Sequence, residues 1–136
     1  MKRWKVVDWF RNSYPGSITP VNYTKGAEME SETLGFFTFK TLKAAKAYKN
    51  DIHRDASKQL SIIEVECYGR GETMNICPSN INNIAQFCAN KDSIKKEMEQ
   101  VNSYSIRAGE YINLSTMGVW KCAEGTLTYK KLKVLT

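Results

Sequence analysis

Alternating apolar positions predict a strand at the start of the chain. Residues 2–10 (KRWKVVDWF) place Trp4 and Val6 on one face of an extended segment and Val7 and Trp9 on the other. Because apolar side chains lie on both faces, we expect this strand to be covered on both sides.

Two further apolar segments have the same extended character. Residues 34–39 (LGFFTF) form a short aromatic run, and residues 60–68 (LSIIEVECY) place Ile63, Val65 and Cys67 on one face. Both are predicted strands. Shorter extended pieces are predicted at 18–23, 110–114, 119–122 and 127–135. The last of these changes phase between Tyr129 and Leu132, which predicts a bulge or turn near Lys130–Lys131.

A helical period begins directly after the aromatic strand. Thr41 is the predicted N-cap, and an apolar stripe follows at Leu42, Ala45, Tyr48 and Ile52. Lysines recur every three residues on the other side, at Lys40, Lys43, Lys46 and Lys49. They are either a solvated helix face or a basic stripe that faces phosphates.

Two more helices are predicted in the middle of the chain. The first opens at Pro78–Ser79, the second is capped by Asp92, and Gly109 ends the region. Their predicted apolar stripes are Ile81, Ile84, Ala85 and Cys88 for the first, and Ile94, Met98 and Val101 for the second.

The order of these elements predicts the fold class. Helices cluster in the middle, short strands follow at the end, and a repeating βαβ alternation is absent. We therefore expect a single α+β domain over residues 1–136, with a mostly antiparallel twisted sheet and about three helices.

Composition agrees with a folded chain and argues against a membrane span. The 136 residues are 42% hydrophobic, and no apolar run approaches the roughly 18 residues that a spanning helix needs. The basic start MKRWK is followed by no apolar segment of the signal-peptide kind. The sequence therefore predicts a cytoplasmic protein without a membrane partner.

The residues that commonly bind metals or act as nucleophiles are sparse. The four cysteines, Cys67, Cys77, Cys88 and Cys122, form no C-x-x-C pair, and His53 is the single histidine. This pattern favours free thiols that pack as small apolar groups, with no metal or cofactor. It also favours binding over nucleophilic catalysis.

The charge balance points to an anionic partner. The formal net charge is +6 and the isoelectric point is near 9.1. Nucleic acid, a nucleotide or an acidic protein surface would each be attracted, although a basic surface can also serve solubility alone.

A candidate anion site follows the central strand. Gly69 and Gly71 can present backbone N–H groups, Arg70 between them can clamp a phosphate, and Tyr68 can stack on a ring. Thr73 and Asn75 add a hydroxyl and an amide nearby, and Arg107, just before Gly109, is a second candidate clamp. The alternative is a simple turn, because two glycines one residue apart do not make a dinucleotide fingerprint or a phosphate loop.

Four segments of the chain resemble small phage-borne proteins with an ADP-ribosyltransferase-like architecture. They are WKVV at 4–7, GFFTFKTLKAAKAY at 35–48, IIEVECYG at 62–69 and EGTLTYKKLKVL at 124–135. The resemblance covers under half of the chain and implies an α+β scaffold. Enzymes of that fold use a first-strand His or Arg and a late Glu. Here Arg3 stands in the first strand and Glu110 and Glu124 come late, without a visible H-Y-E set.

Three hypotheses for function follow. The first is a phage-type counter-defence protein that sequesters a phosphorylated nucleotide signal of host immunity. The second is a protein–protein inhibitor of a host nucleic-acid-handling defence enzyme, such as a CRISPR effector. The third is an ADP-ribosyltransferase-like enzyme. The aromatic residues Trp9, Phe10, Tyr111 and Trp120 are either core or the interface of a homo-oligomer.

Overall fold

The computed structural model describes residues 1–8, 10–11, 21–52, 60–79, 81–101 and 106–136. Within these ranges there are ten strands and three helices. The strands are β1 Lys2–Val7, β2 Glu28–Glu30, β3 Phe36–Phe39, β4 Ser61–Tyr68, β5 Glu72–Thr73, β6 Ile76–Pro78, β7 Tyr111–Asn113, β8 Gly118–Lys121, β9 Thr126–Tyr129 and β10 Lys131–Val134. The helices are α1 Leu42–Ile52, α2 Ile84–Ala89 and α3 Lys91–Glu99.

The strands form two sheets, and the strand pairs among the described residues are antiparallel. The larger sheet has the order β2-β10-β4-β1-β3-β9-β5, and the smaller one has the order β6-β8-β7. The predicted single-domain α+β class, with a mostly antiparallel arrangement and three helices, is confirmed.

The larger sheet closes on itself. β9 and β10 are separated by Lys130 alone, yet β3, β1 and β4 lie between them in the sheet order. In a flat sheet, strands four places apart would lie roughly 19 Å from each other, whereas two residues of chain span only about 7 Å. The strands β10-β4-β1-β3-β9 must therefore curl into a barrel, in which β9 and β10 are two halves of one bent strand.

The barrel has a packed interior and a covered exterior. Interior side chains from β1, β3, β4, β9 and β10 form one cluster, which includes Val7, Phe36, Val65 and Leu132. On the outer face, Val6 packs with Phe39, Ala45, Leu60 and, more loosely, Trp4. The prediction that the first strand is covered on both sides is confirmed.

A separate core lies under the smaller sheet and the last two helices. Phe87 of α2, Ile94 of α3 and Val119 of β8 are buried there, with Met98 and Val101 packed against them. The predicted stripe of the third helix is confirmed by this packing.

The predicted start of the second helix is wrong. Residues Ile76–Pro78 are strand β6, which pairs with β8, and a 3₁₀ turn at Ile81–Asn83 precedes α2. Pro78 is tolerated because β6 is an edge of its sheet, where a missing N–H is harmless. The buried residue of α2 is Phe87, and Ala85 is exposed.

Two other details of the helices differ from expectation. α3 begins at Lys91 with Asn90 as its N-cap, so that Asp92 lies in the first turn, where a carboxylate interacts favourably with the helix dipole.

The predicted apolar stripe of α1 is only partly buried, because Leu42 is 39% exposed. Ala44, Ala45 and Tyr48 form the packed face of α1, and Leu42 lies about 110° around the helix from its centre. The Thr41 cap is confirmed, because its hydroxyl oxygen accepts a hydrogen bond from the N–H of Ala44 at 3.1 Å.

Other predicted features lie wholly or partly outside the described residues. These are Trp9, His53, and residues 18–20 of the second predicted extended piece. Phe10 is 73% exposed and Tyr111 is 53% exposed, whereas Trp120 is half-buried. Among the described residues, no helix combines the length and the apolar character that crossing a bilayer requires.

Candidate functional site

The turn at 68–71 is an exposed corner that follows β4. Tyr68 is 41% exposed, and the Lys131 ammonium lies 6.0 Å from the centre of its ring. Gly69 has a φ of +80°, and beyond its chain neighbours no atom of the described residues lies within 4 Å of the position that a Cβ would take. Arg70 is exposed and makes no hydrogen bond or ion pair with the other described residues.

Gly71 has a packing role in this corner. A Cβ added there would lie 2.6 Å from the hydroxyl oxygen of Tyr129, which is buried and accepts a hydrogen bond from Arg3 Nε at 3.0 Å. The side chain of the first-strand arginine is therefore used, at least in part, to hold an interior tyrosine. The absence of a side chain at Gly71 is explained by this close approach.

A cleft opens immediately after that corner, where the chain passes from the larger sheet to the smaller one. We call it the α3 cleft. It is lined by residues 72–76, by Phe87, by five residues of α3 and by Lys121, and its volume is about 350 Å³. Two backbone hydrogen bonds fix this crossing: Met74 N–H donates to Thr126 O at 3.1 Å, and Cys122 N–H donates to Asn75 O at 2.8 Å.

The floor of the α3 cleft is apolar. Met74, Ile76, Phe87 and Ile94 are buried there, and Met98 is half-buried. Because these side chains belong to the core under the smaller sheet, the floor is held by packing on its inner side. A floor of this kind accepts a flat apolar or aromatic group.

The rim of the α3 cleft is charged. Lys91, Lys95 and Lys121 line it together with Glu72 and Glu99. Lys91 Nζ lies 3.3 Å from Glu72 Oε1 and 3.4 Å from Glu72 Oε2, so this ion pair links α3 to β5. Lys95 and Lys121 make no ion pair with any described residue, so both ammonium groups remain available to an anion.

Two of the predicted site residues line this cleft. Thr73 and Asn75 are exposed, and neither side chain is hydrogen-bonded to another described residue. A hydroxyl and an amide can each donate and accept, so both can read the polar edge of a ligand. Tyr68, Gly69, Arg70 and Gly71 do not line the cleft.

Arg107 lies elsewhere. It is exposed, and its carbonyl oxygen accepts a hydrogen bond from Glu110 N–H at 3.1 Å. The next residue, Ala108, lines a second hollow, which we call the α1 groove. Its other described lining residues are six from the segment 40–48, namely Lys40, Thr41, Lys43, Ala44, Ala47 and Tyr48, and residues 123–125. The structure thus separates the two predicted arginine clamps from the cleft that holds Thr73 and Asn75.

Sequence reasoning missed the three lysines of the α3 cleft. Lys91 and Lys95 are four residues apart, a spacing that places them on one helix face beside Ile94 and Met98. That signal is visible in the sequence. Lys121 had no such signal, because only the pairing of β8 with β6 brings it to the cleft.

Two of the four cysteine thiols, those of Cys67 and Cys122, are poor nucleophiles. Burial raises the pKa of Cys67 to about 11, and a hydrogen bond to Cys77, together with burial, raises the pKa of Cys122 well above its usual value. Both are therefore thiols and not thiolates near neutral pH, and the thiolate is the reactive form. Among the described residues, no group of three or more His, Cys, Asp or Glu side chains is placed to hold a metal ion.

Comparison with known proteins gives no family for this chain. No family model, no curated protein and no solved structure matches it. The fold and the cleft define a small α+β barrel protein whose cleft has a basic rim and an apolar floor.

Proposed function

We propose that this protein binds a phosphorylated nucleotide in the α3 cleft and holds it without transforming it. The observation that carries the proposal is the combination, in one cleft, of an apolar floor, two lysines that form no ion pair with the described residues, and two polar side chains that form no hydrogen bond with them. A nucleotide has the matching parts: a flat base, a polar base edge and an anionic phosphate.

The size of the α3 cleft supports a ligand of about one nucleotide unit. Its volume of about 350 Å³ falls near the lower end of the range for small-molecule sites, roughly 300–1,000 Å³. A base would rest against Met74, Phe87 and Met98, where sulfur and aromatic groups adapt to flat rings. Asn75 would then hydrogen-bond the edge of the base.

The phosphate would lie on Lys95 and Lys121. Lys91 is already neutralised by Glu72, so a ligand phosphate reaches it only by displacing that carboxylate. A lysine ammonium suits a phosphate as a compact point charge with three donors. The two carboxylates on the rim, Glu72 and Glu99, would oppose extended polyanions and favour a ligand with one or two phosphates.

The side chains of the α3 cleft favour binding of the nucleotide over a reaction that proceeds through a covalent intermediate on a thiol or an imidazole. Among the described lining residues of the cleft, the ionisable side chains are lysines and glutamates, with no thiol or imidazole. In the setting that the resemblance to phage-borne proteins implies, the captured ligand would be a nucleotide signal of host immunity. That setting rests on the resemblance, and the ligand class rests on the cleft.

Calorimetric titration with AMP, ADP and inorganic phosphate tests the ligand class. We expect AMP and ADP to bind and inorganic phosphate to bind at least about tenfold more weakly, because it cannot use the apolar floor. If none of the three produces binding heat, the proposal is wrong.

Charge reversal on adjacent residues of α3 tests the location. We expect Lys95→Glu to weaken AMP binding by roughly tenfold or more, since a hydrogen bond to a charged group is worth about 1.5–3 kcal/mol. Lys96→Glu is the matched control, because Lys96 is exposed on the same helix and does not line the cleft. Equal losses of AMP affinity in the two variants would show that only the net charge of the protein matters, and would contradict a site at Lys95.

Arg70→Ala tests the alternative location. It should leave the affinity for AMP within about twofold, and a large loss would place the site at the turn at 68–71.

A further inference from the structure

The α1 groove is larger than the α3 cleft, with a volume of about 530 Å³, and the two have no described lining residue in common. One wall is the first half of α1, and the other is the chain between β8 and β9. The two walls are locked together at one end, where Lys40 N–H donates to Gly125 O at 2.9 Å. A Cβ on Gly125 would approach the Cβ of Ala44 to 3.1 Å, so the walls meet closely through small residues.

The floor of the α1 groove is built from short side chains. Ala44, Ala47, Ala108 and Ala123 line it, so a bound chain can come close to the protein backbone. Tyr48 also lines the groove, but its ring is packed against Phe39 at a centroid distance of 5.1 Å. The ring is therefore engaged with the barrel and is not an open platform for stacking.

The rim of the α1 groove is basic. Lys40 and Lys43 line it, and Arg107 directly precedes the lining residue Ala108. These three side chains are exposed, and none of them forms an ion pair with a described residue. Glu124 is the carboxylate among the described lining residues, so cations dominate the groove.

We propose that the α1 groove docks an acidic segment of a partner protein. Carboxylates of the segment would pair with the lysines of the rim, and small apolar side chains between them would rest on the alanine floor. Lys40 and Lys43 thereby gain a role that nucleotide binding in the α3 cleft does not give them.

Two features favour an acidic protein segment over single-stranded nucleic acid. Nucleic-acid grooves of this kind combine cations with aromatic rings on which bases stack, and Tyr48 is occupied by Phe39. Glu124 in the groove also repels a continuous phosphate backbone, whereas a peptide can place an uncharged residue opposite it.

Fluorescence anisotropy with a defined peptide tests the proposal. The probe is a fluorescein-labelled twelve-residue peptide with the repeat Glu-Leu-Asp, and the comparison peptide has the repeat Gln-Leu-Asn. We expect the acidic peptide to bind at least about tenfold more tightly, with an affinity that falls as salt is raised. No binding of the acidic peptide up to about 1 mM would overturn the proposal.

Variants of the protein locate the binding. Lys43→Glu should weaken binding of the acidic peptide by about tenfold or more, and Ala47→Trp should weaken it through steric filling of the groove without a change in charge. Lys25→Glu is the matched control, because Lys25 is exposed and lines neither hollow. Equal effects of Lys43→Glu and Lys25→Glu would overturn the proposal, as would tighter binding of a twelve-nucleotide oligothymidylate that Lys43→Glu abolishes.

Discussion

Replacing Lys5 with methionine is expected to stabilise the protein by several kcal/mol at pH 7 and to remove much of its pH dependence above that pH. Lys5 is 4% exposed and lies on β1 on the interior side of the barrel, with its ammonium 5.4 Å from the centre of the Tyr23 ring. It makes no hydrogen bond or ion pair with the other described residues. Burial therefore lowers its pKa to about 7 from 10.5.

Two effects compete at Lys5, and desolvation is the larger. The ring of Tyr23 attracts the ammonium by about 2 kcal/mol when both are away from water. Removing an ammonium from water costs several kcal/mol even after relaxation. The lowered pKa has the sign that desolvation dictates. Methionine fills a similar volume without a charge, and its side chain adapts to irregular packing.

The direction of the pH dependence follows from the protons bound in each state. Between pH 7 and 10.5 the unfolded chain keeps the Lys5 proton and the folded protein loses it, so the stability of the parent rises with pH. Below about pH 7 both states are protonated, and the full penalty applies. The raised pKa values of Cys67 and Cys122 act in the opposite direction from about pH 8 upward. Their contribution cancels in the stability difference between the parent and Lys5→Met, because both proteins carry both thiols.

Denaturant unfolding of the parent and of Lys5→Met at pH 7, 8 and 9 measures this effect. The stability difference between the two proteins should shrink by about 2 kcal/mol from pH 7 to pH 9, since one pH unit is worth about 1.4 kcal/mol. Lys25→Met, at an exposed turn, should change stability by less than about 0.5 kcal/mol at every pH. A pH-independent difference for Lys5→Met would mean that the ammonium has a compensating partner.

Lys5 also shows which property of a strand the hydrophobic pattern does not predict, namely whether a given face is buried in the folded protein. Alternation predicts which residues share a strand face, and it correctly separates Val6 from Val7 on β1. Alternation alone would place the charged side chain of Lys5, which shares a face with Val7, in solvent. Closure of the sheet makes that face the interior of a barrel, and closure depends on pairings between distant segments.

The long strands and the first helix were predictable for a local reason. β4 carries eight residues of regular alternation, and α1 carries a cap and a repeating stripe, so each is specified within its own segment. The strands β2, β5 and β6 have two or three residues each, too few to show a period. They are strands because β10, β9 and β8 pair with them.

One feature of the sequence indicates the closure of the barrel. The phase change between Tyr129 and Leu132 predicts a break near Lys130, and the structure has its bend there. Both side chains are buried in the interior cluster on either side of that bend. The pattern thus predicts the bend, but the number of strands between its two halves is a property of the tertiary fold.

Part of the candidate site was predictable because two of its residues lie within a few positions of a recognisable turn. Thr73 and Asn75 lie close in sequence to the turn at 68–71, and they do line the α3 cleft. The turn itself offered glycines and an arginine, which are as typical of a corner as of an anion site. The cations that reach the cleft come from α3 and β8, and only the folded chain brings these elements together.

Replacing Gly35 with alanine is expected to destabilise the protein by about 2–4 kcal/mol, through a contact at the closing bend of the barrel. Gly35 has a φ of +97°, and a Cβ there would lie 2.9 Å from the carbonyl oxygen of Tyr129. Positive φ alone costs an alanine about 1 kcal/mol. The clash adds about 1–3 kcal/mol, because the opposing atom is backbone and a shift would disturb the pairing of β3 with β9.

Gly69→Ala is the control that separates these two contributions. Gly69 has a similar φ of +80°, but an added Cβ would meet no atom within 4 Å in the part of the chain that the structure describes, so the expected loss of stability is only about 1 kcal/mol. Denaturant unfolding of both variants gives the difference directly, and that difference measures how tightly β3 meets the bent strand. Equal losses in Gly35→Ala and Gly69→Ala would show that the backbone at Tyr129 yields, and that closure of the barrel does not depend on this contact.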